Sequence, residues 1–389
     1  MSATADRAWL VACVAAIGTG RPAPAPPDGI DWPDVLITAD VGDLAPALAH
    51  ALAAAGWPGV PPAARRRLTD DLATSRARHL LMSRELAGVL RHAAAAGLDI
   101  IVLKGPVLAE QVYPDPALRP FSDLDLLVRA ADRLRMDTAL RDLGHRRVAD
   151  EHSWDFDITY DGATLYETPG GVRIDLHWTL LTEPRFVWNA GEAEIWERSV
   201  PITVAGAAAR GLGREDLVLY LAAHLAVHHT LAGLLRYHDL ARVLGREADA
   251  LDWAALLARA ARWRVRRALF FALLGARALF EAPVPPAILD ALRPRGPRAR
   301  LLAALVRHGD DRRLVRLEHL VTLLLVDHPR DVGAALARAL WPSAGWMRAR
   351  YGIAAGSAPA LYRAHARRLG GVVRGAAAAL VRRRPAPVR

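Results

Sequence analysis

The chain has 389 residues, of which 52% are hydrophobic and 24% are charged. A chain of this length and composition can bury a sizeable core, so wholesale disorder is excluded. A single cysteine, Cys13, excludes an intramolecular disulfide framework and a cysteine-cluster zinc site. No uncharged apolar run reaches the length of a membrane-spanning helix, and the apolar stretch at 8–18 lacks a preceding basic region. We therefore expect a cytoplasmic protein.

The net charge of +10 comes from 51 basic and 41 acidic residues, but it is unevenly distributed. Residues 363–389 contain eight arginines and no acidic residue, so the rest of the chain is nearly neutral. The charge therefore does not require a nucleic-acid-binding surface, and we expect no nucleic-acid partner. Lys104 is the one lysine in a chain where arginine supplies every other basic side chain. This makes Lys104 a candidate for a site that a compact point charge fits and a wide guanidinium does not.

The first hundred residues show apolar positions at helical spacing. They predict a helix over 1–20, a proline-rich connection over 21–34, and helices over 41–56 and 63–96, the last of which Gly97 ends.

The pattern then changes to short β-branched or alternating segments. Strands are predicted at 99–103, 123–128 and 172–178 and within 156–168, with an amphipathic helix at 131–143. From about 214 onwards the spacing is helical again.

These patterns predict an α+β, mostly helical fold with a small mixed β-sheet flanked by N-terminal and C-terminal helical regions. The predicted domains are an N-terminal helical region (1–96), an α/β core (97–212), a C-terminal helical domain (213–357) and a basic tail (358–389).

Three aspartates form the strongest chemical signal. Asp123 and Asp125 lie two residues apart on a predicted strand, so their carboxylates point to the same face. Asp175 lies in a second alternating segment, in phase to add a third carboxylate. Such a set can hold the metal ions of a two-metal phosphoryl-transfer site.

Basic and small residues precede this group. Lys104 can contact a triphosphate as a point charge, and Gly105 lets backbone N–H groups approach a phosphate closely. Arg119, in the proline-bounded loop before Asp123, can contact a further phosphate oxygen. Ser122, in the same loop, is a further candidate for nucleotide binding.

The same segments of the chain resemble those of a known protein family. The segments LKG (103–105), YPDPALRPFSDLDLLV (113–128) and IDLHW (174–178), with HDLARVL (238–244) further on, resemble the uncharacterised nucleotidyltransferase family of the DNA polymerase β-like superfamily. The resemblance covers roughly residues 70–285. It implies a minimal nucleotidyltransferase sheet, with metal-binding carboxylates at Asp123, Asp125 and Asp175. Lys104 and Gly105 then stand where the wider superfamily carries a Gly-Ser pair.

Several histidines have alternative interpretations. His224 and His228, four residues apart on one helix, could bind a metal, but no glutamate follows at the spacing of a zincin. A helix rich in leucine and alanine more often places such residues in the core or against a polar cleft. His238-Asp239 is also the doublet of HD phosphohydrolases, but the surrounding sequence fits the nucleotidyltransferase family better. Asp239 then orders its helix or lines the acceptor pocket. His177, on the same face as Asp175, is a candidate for orienting the acceptor or a metal-bound water. His152, between the two carboxylate strands, is a candidate for contacting the nucleotide or the acceptor.

The sequence therefore predicts a metal-dependent nucleotidyltransferase. It would move a nucleoside monophosphate from an NTP to a small-molecule or peptide acceptor and release pyrophosphate, with Mg²⁺ or Mn²⁺ as cofactor. The alternatives are a catalytically degenerate nucleotide-binding module and an RNA-modifying nucleotidyltransferase, for which the basic tail is the distinctive support.

Overall fold

The fold is mostly helical, around a mixed β-sheet, as the sequence predicts. A computed structural model describes residues 3–17, 19, 21–148, 162–181, 188, 190–308, 311–354 and 356–381. Contacts divide the chain into one unit of residues 1–148 and 164–327 and a second unit of residues 149–163 and 328–389. The predicted boundaries at 96, 212 and 357 stay a prediction.

Within the described residues, seven strands form one sheet in the order β3-β4-β5-β2-β1-β7-β6. The strands are β1 (Ile101–Val102), β2 (Asp123–Leu127), β3 (Arg146–Arg147), β4 (Ala163–Glu167), β5 (Arg173–His177), β6 (Val200–Val204) and β7 (Ala207–Gly211). β2 is parallel to β5 and antiparallel to β1, while β1 is parallel to β7.

Helices precede and interrupt the sheet. They are α1 (Ala3–Ala15), α2 (Trp32–Val41), α3 (Ala45–Ala54), α4 (Pro62–Ala95), α5 (Lys104–Gln111), α6 (Arg133–Asp142) and α7 (Glu192–Arg198).

Further helices follow the sheet. Those of the first unit are α8 (Arg214–Val227), α9 (Leu234–Glu247), α10 (Trp253–Trp263), α11 (Arg266–Phe280), α12 (Pro286–Leu292), α13 (Pro297–His308), α14 (Asp311–Arg316) and α15 (Glu318–Leu325). The second unit holds α16 (Pro329–Leu340), α17 (Ala344–Tyr351) and α18 (Ala358–Val381). Within this unit, the ring of Trp341 stacks on that of His365, with ring centroids 4.1 Å apart. No helix among the described residues is long and apolar enough to cross a membrane.

Two local features explain where helices begin and end. Gly97 ends α4 as predicted, because its φ of +66° suits glycine and lets the backbone N–H of Leu98 bond back to the carbonyl of Ala93. The proline-rich connection is shorter than predicted. Asp31 caps α2 by accepting a hydrogen bond from the backbone N–H of Asp34, so a helix begins at Trp32.

The β6–β7 hairpin has no counterpart among the predicted strands. Its turn is the two-residue Ala205-Gly206, with φ of +52° and +67°, and its register pairs Val204 with Ala207. Both central residues of such a hairpin turn need a positive φ. An alanine in that position is an unusual choice, which explains why the turn gives a weak signal in the sequence.

The two faces of the central sheet have different partners. Leu124, Leu126 and Ile174 point to one face and join a buried core with residues of α4 and α6. Because side chains alternate along a strand, Asp123, Asp125 and Asp175 point to the opposite face. The same short strands therefore anchor the core and present the carboxylates.

Two glycines in neighbouring helices provide a matched test of packing. A Cβ at Gly275 of α11 would stand 2.3 Å from Cε1 of Tyr237, whose hydroxyl donates to the Leu231 carbonyl. Nothing lies within 4 Å of a Cβ at Gly245 of α9. We expect Gly275→Ala to lower the free energy of unfolding by about 1–3 kcal/mol through overpacking. Gly245→Ala should raise it by up to about 1 kcal/mol through helix propensity. Denaturant unfolding measures both, and equal effects at the two positions would contradict the packing described here.

Candidate functional site

The register of β2 on β5 brings the three predicted aspartates together. Asp125 lies directly beside Asp175 on the neighbouring parallel strand, and Asp123 lies beside Arg173. Asp125 is 2% exposed, while Asp123 and Asp175 are half-buried. Three carboxylates therefore share one face of two adjacent strands.

Crowding separates the pKa values of these carboxylates. Burial, together with the charge of Asp125, raises the pKa of Asp175 to about 6. The same two causes raise the pKa of Asp123. Burial also acts to raise the pKa of Asp125, but the Lys104 ammonium and the His177 ring outweigh it and lower that pKa to about 2. The site thus holds more negative charge than its surroundings neutralise, which favours a bound cation.

Lys104 is the positive charge closest to this group. It is the first residue of α5, just after β1, and the backbone N–H of Leu103 donates to the carbonyl of Asp125. Its Nζ lies 3.1 Å from Asp125 Oδ1 and donates to Nε2 of His224 at 2.8 Å. Burial and the Lys104 charge hold the pKa of His224 well below its usual range. The imidazole is therefore neutral and can accept the lysine hydrogen bond.

Gly105 and Ser122 lie on either side of Phe121. A Cβ at Gly105 would approach the Phe121 ring to 3.2 Å, so glycine lets α5 pack closely on that ring. Ser122 is exposed immediately before β2. A phosphate contact at Gly105 or Ser122 stays a prediction.

Arg119 and Asp239 form a buried ion pair between the proline loop and α9. Nε of Arg119 donates to Asp239 Oδ1 at 3.2 Å, and Nη2 donates to Oδ2 at 2.8 Å. Only 8% of the Arg119 side chain and 2% of the Asp239 side chain are exposed. Such two-point pairing fixes the loop on α9, so the predicted triphosphate contact of Arg119 would have to coexist with this pair.

Tyr113 and His238 complete this buried group. The Tyr113 hydroxyl donates to Asp239 Oδ1 at 2.8 Å, so its oxygen accepts from Nδ1 of His238 at 3.0 Å. Burial lowers the pKa of His238 to about 3. Among the described residues, neither His238 nor Asp239 belongs to a metal-ligand cluster. These contacts argue against the HD phosphohydrolase alternative and favour a structural role for the doublet.

One face of α8 contributes residues at four-residue spacing. Tyr220, His224 and His228 follow one another along this face, with ring centroids 5.8 and 5.1 Å apart. Burial and the charges of the aspartates raise the pKa of Tyr220 well above its usual range. The sequence pattern indicates the two histidines but not Tyr220, for which the signal is its spacing of four from His224.

Among the described residues, Asp125, Asp175 and His177 are grouped closely enough to hold a metal ion. One ligand atom from each lies within 4.8 Å of the others. Asp125 Oδ2 is buried and has no hydrogen-bond partner among the described residues. An orphaned carboxylate oxygen beside a second carboxylate fits a cation well. Asp123 borders this group, and the predicted His152 lies outside the described residues.

The comparison with protein-family models agrees with the resemblance seen in the sequence. Among solved structures, the crystal structure of ANT(2")-Ia in complex with adenylyl-2"-tobramycin matches with 16% identity and a TM-score of 0.34. The match covers 48% of this chain and 98% of that one. This likeness is too weak to carry an argument. No curated protein matches the chain. The family model described as "Uncharacterised nucleotidyltransferase" matches residues 28–281, well over half of the chain. The chain therefore belongs to the uncharacterised nucleotidyltransferase family.

Proposed function

We propose that the protein transfers a nucleoside monophosphate from an NTP to a small-molecule or peptide acceptor. An acceptor hydroxyl oxygen bonds to the α-phosphorus, the bond between that phosphorus and the oxygen bridging to the β-phosphate breaks, and pyrophosphate leaves. The hydroxyl proton passes to a carboxylate of the site, and we assign this role to Asp175. The reaction needs no redox partner.

The observation that carries the proposal is the pairing of Asp125 with Asp175 on adjacent parallel strands, with Asp123 on the same face. In a member of a nucleotidyltransferase family, such a set supports divalent cation binding. Mg²⁺ or Mn²⁺ held here would neutralise charge on the phosphate oxygens. Asp123, Asp125 and Asp175 would hold the cations, and the buried strand positions of Asp125 and Asp175 restrict their movement.

Lys104 is the residue we assign to the triphosphate. Its ammonium lies against Asp125, so it can contact phosphate oxygens that approach the same carboxylates. Gly105, Ser122 and Arg119 are further proposed contacts, with Arg119 held in place by Asp239. These assignments rest on position and on charge complementarity.

The acceptor would approach from the side of the helices. His224 of α8 contacts Lys104, and His177 lies on the same face of β5 as Asp175. Asp239 is 1% exposed, so its contacts support ordering α9 rather than lining an acceptor pocket. Outside residues 363–389 the chain is nearly neutral, which favours a small molecule or peptide over a nucleic acid.

Removing one carboxylate at a time tests the reaction. We expect Asp123→Asn, Asp125→Asn and Asp175→Asn each to lower the rate of label transfer by at least about 10²-fold, because each removes a cation ligand. The assay follows pyrophosphate release and label transfer from each of the four NTPs with Mg²⁺ or Mn²⁺, using cell extract as the acceptor source.

Asp99→Asn is the matched control, because Asp99 is exposed just before β1. Full activity in the three site variants would refute the proposal. Metal-dependent NTP binding without label transfer would instead favour the nucleotide-binding module.

Exchanging Lys104 for arginine tests its role as a point charge. A guanidinium is wider than an ammonium and cannot occupy the space between Asp125 Oδ1 and His224 Nε2 in the same way. We expect Lys104→Arg to weaken the affinity for a non-hydrolysable NTP analogue by about tenfold, although the charge is kept. Titration calorimetry in Mg²⁺ measures the affinity. The control is the opposite exchange, Arg91→Lys, at an exposed position. Unchanged affinity for the NTP analogue in Lys104→Arg would show that any positively charged side chain suffices at position 104.

A further inference from the structure

His177 is a half-buried imidazole beside the carboxylates. It ends β5, two residues after Asp175 and on the same face, and 15% of its side chain is exposed. Both ring nitrogens are buried, and neither has a hydrogen-bond partner within the described part of the chain. Nε2 lies 3.4 Å from Asp125 Oδ1. Buried ring nitrogens are usually paired, so this position requires an explanation.

The neighbouring carboxylate has a free oxygen of its own. Lys104 lies against Oδ1 of Asp125, whereas Oδ2 is buried without a hydrogen-bond partner among the described residues. Only 3% of this side chain is exposed. Asp175 contributes the third ligand, and one atom of each of the three residues lies within 4.8 Å of the other two. A single cation placed among them would satisfy an imidazole nitrogen and two carboxylates together.

We propose that Asp125, Asp175 and His177 bind one divalent first-row transition-metal ion, with a ring nitrogen of His177 as a direct ligand, in preference to Mg²⁺. The inference deepens the proposed function, on which it rests for the role of the site in nucleotidyl transfer. Asp123 lies outside this group of three and is left for the second cation of a two-metal site.

The preference follows from the ligand atoms. Mg²⁺ takes oxygen ligands in near-ideal octahedral geometry and gives up its water reluctantly. An imidazole nitrogen is instead a common ligand of first-row transition metals. Three protein ligands also leave coordination positions open, as in metal sites that act on a substrate. The ammonium of Lys104 contacts Oδ1 of Asp125, and Oδ2 has no hydrogen-bond partner among the described residues.

Mn²⁺ is the probe for the test, because the electron paramagnetic resonance signal of the free ion disappears on binding. The full-length protein is titrated with Mn²⁺ in the absence of nucleotide, and Mg²⁺ is then added as a competitor. We expect wild type to bind Mn²⁺ and to require a large excess of Mg²⁺ for displacement. His177→Gln should reduce this preference about tenfold or more. His319→Gln is the matched control and should behave as wild type, because the His319 side chain is 95% exposed.

Pulsed measurements of the bound Mn²⁺ distinguish a ligand from a merely structural residue. Wild type should show the coupling of an imidazole nitrogen to the metal, and His177→Gln should lack it. The wild-type spectrum alone tests whether an imidazole nitrogen binds the metal, so the test stands even where His177→Gln unfolds. His177→Asn provides a second substitution. Bound Mn²⁺ without nitrogen coupling, coupling that persists in His177→Gln, or displacement by equimolar Mg²⁺ would each overturn the inference.

These outcomes are independent of the transfer reaction. Nucleotidyl transfer by an enzyme whose Mn²⁺ shows no nitrogen coupling would overturn the inference and leave the proposed function intact. Nitrogen coupling in a protein that transfers no nucleotide to any acceptor would support the metal site and overturn the proposed function.

Discussion

Asp125 and Asp175 stand side by side on parallel strands, and the surrounding structure limits the repulsion between them. Like charges at close range raise each other's pKa, and burial adds to this effect. Lys104 offsets it at Asp125, since its ammonium lies 3.1 Å from Oδ1 and is held from the other side by His224. Among the described residues Asp175 has no ion pair of this kind, and its pKa rises to about 6. The charge balance of the site therefore depends on the contacts of Lys104 with Asp125 and with His224 of α8.

A second buried ionic group controls the approach to β2. Arg119 pairs with Asp239 at two points, and Tyr113 adds a hydrogen bond to the same carboxylate. A buried pair of this kind contributes little net stability but is costly to break, so it defines one arrangement of the proline loop on α9. Because this loop leads directly into Asp123, the helical part of the chain helps to set the position of the carboxylates. The contacts of the His238-Asp239 doublet favour a structural role, although its sequence also fits metal chemistry.

Much of the site follows from local sequence pattern, and the rest depends on contacts between distant segments. Alternation in DLDLL and RIDLH is enough to predict that the aspartates share a face, because a strand has a period of two. His224, which contacts Lys104, and Asp239, which pairs with Arg119, each lie 120 residues away in sequence, and no local rule specifies such pairs. The β6–β7 hairpin was missed because its Ala-Gly turn is a weak signal. The sequence pattern indicates the histidines of this segment but not Tyr220, since a tyrosine among leucines and alanines is typical of a packed helix face.

The division of β2 between two faces also affects how the protein tolerates change. Its five residues are Asp123 and Asp125 on the carboxylate face, Leu124 and Leu126 in the core, and the fully buried Leu127. No position in this strand faces solvent freely, so natural variation has little room there. Substitution of Leu124 or Leu126 would move the carboxylates, because both sets of side chains share the backbone of β2. The half-exposed β6–β7 hairpin at the sheet edge can accept substitutions without displacing the carboxylates. Adaptation towards new acceptors is therefore expected to proceed through the helices and edge strands, while β2 changes slowly.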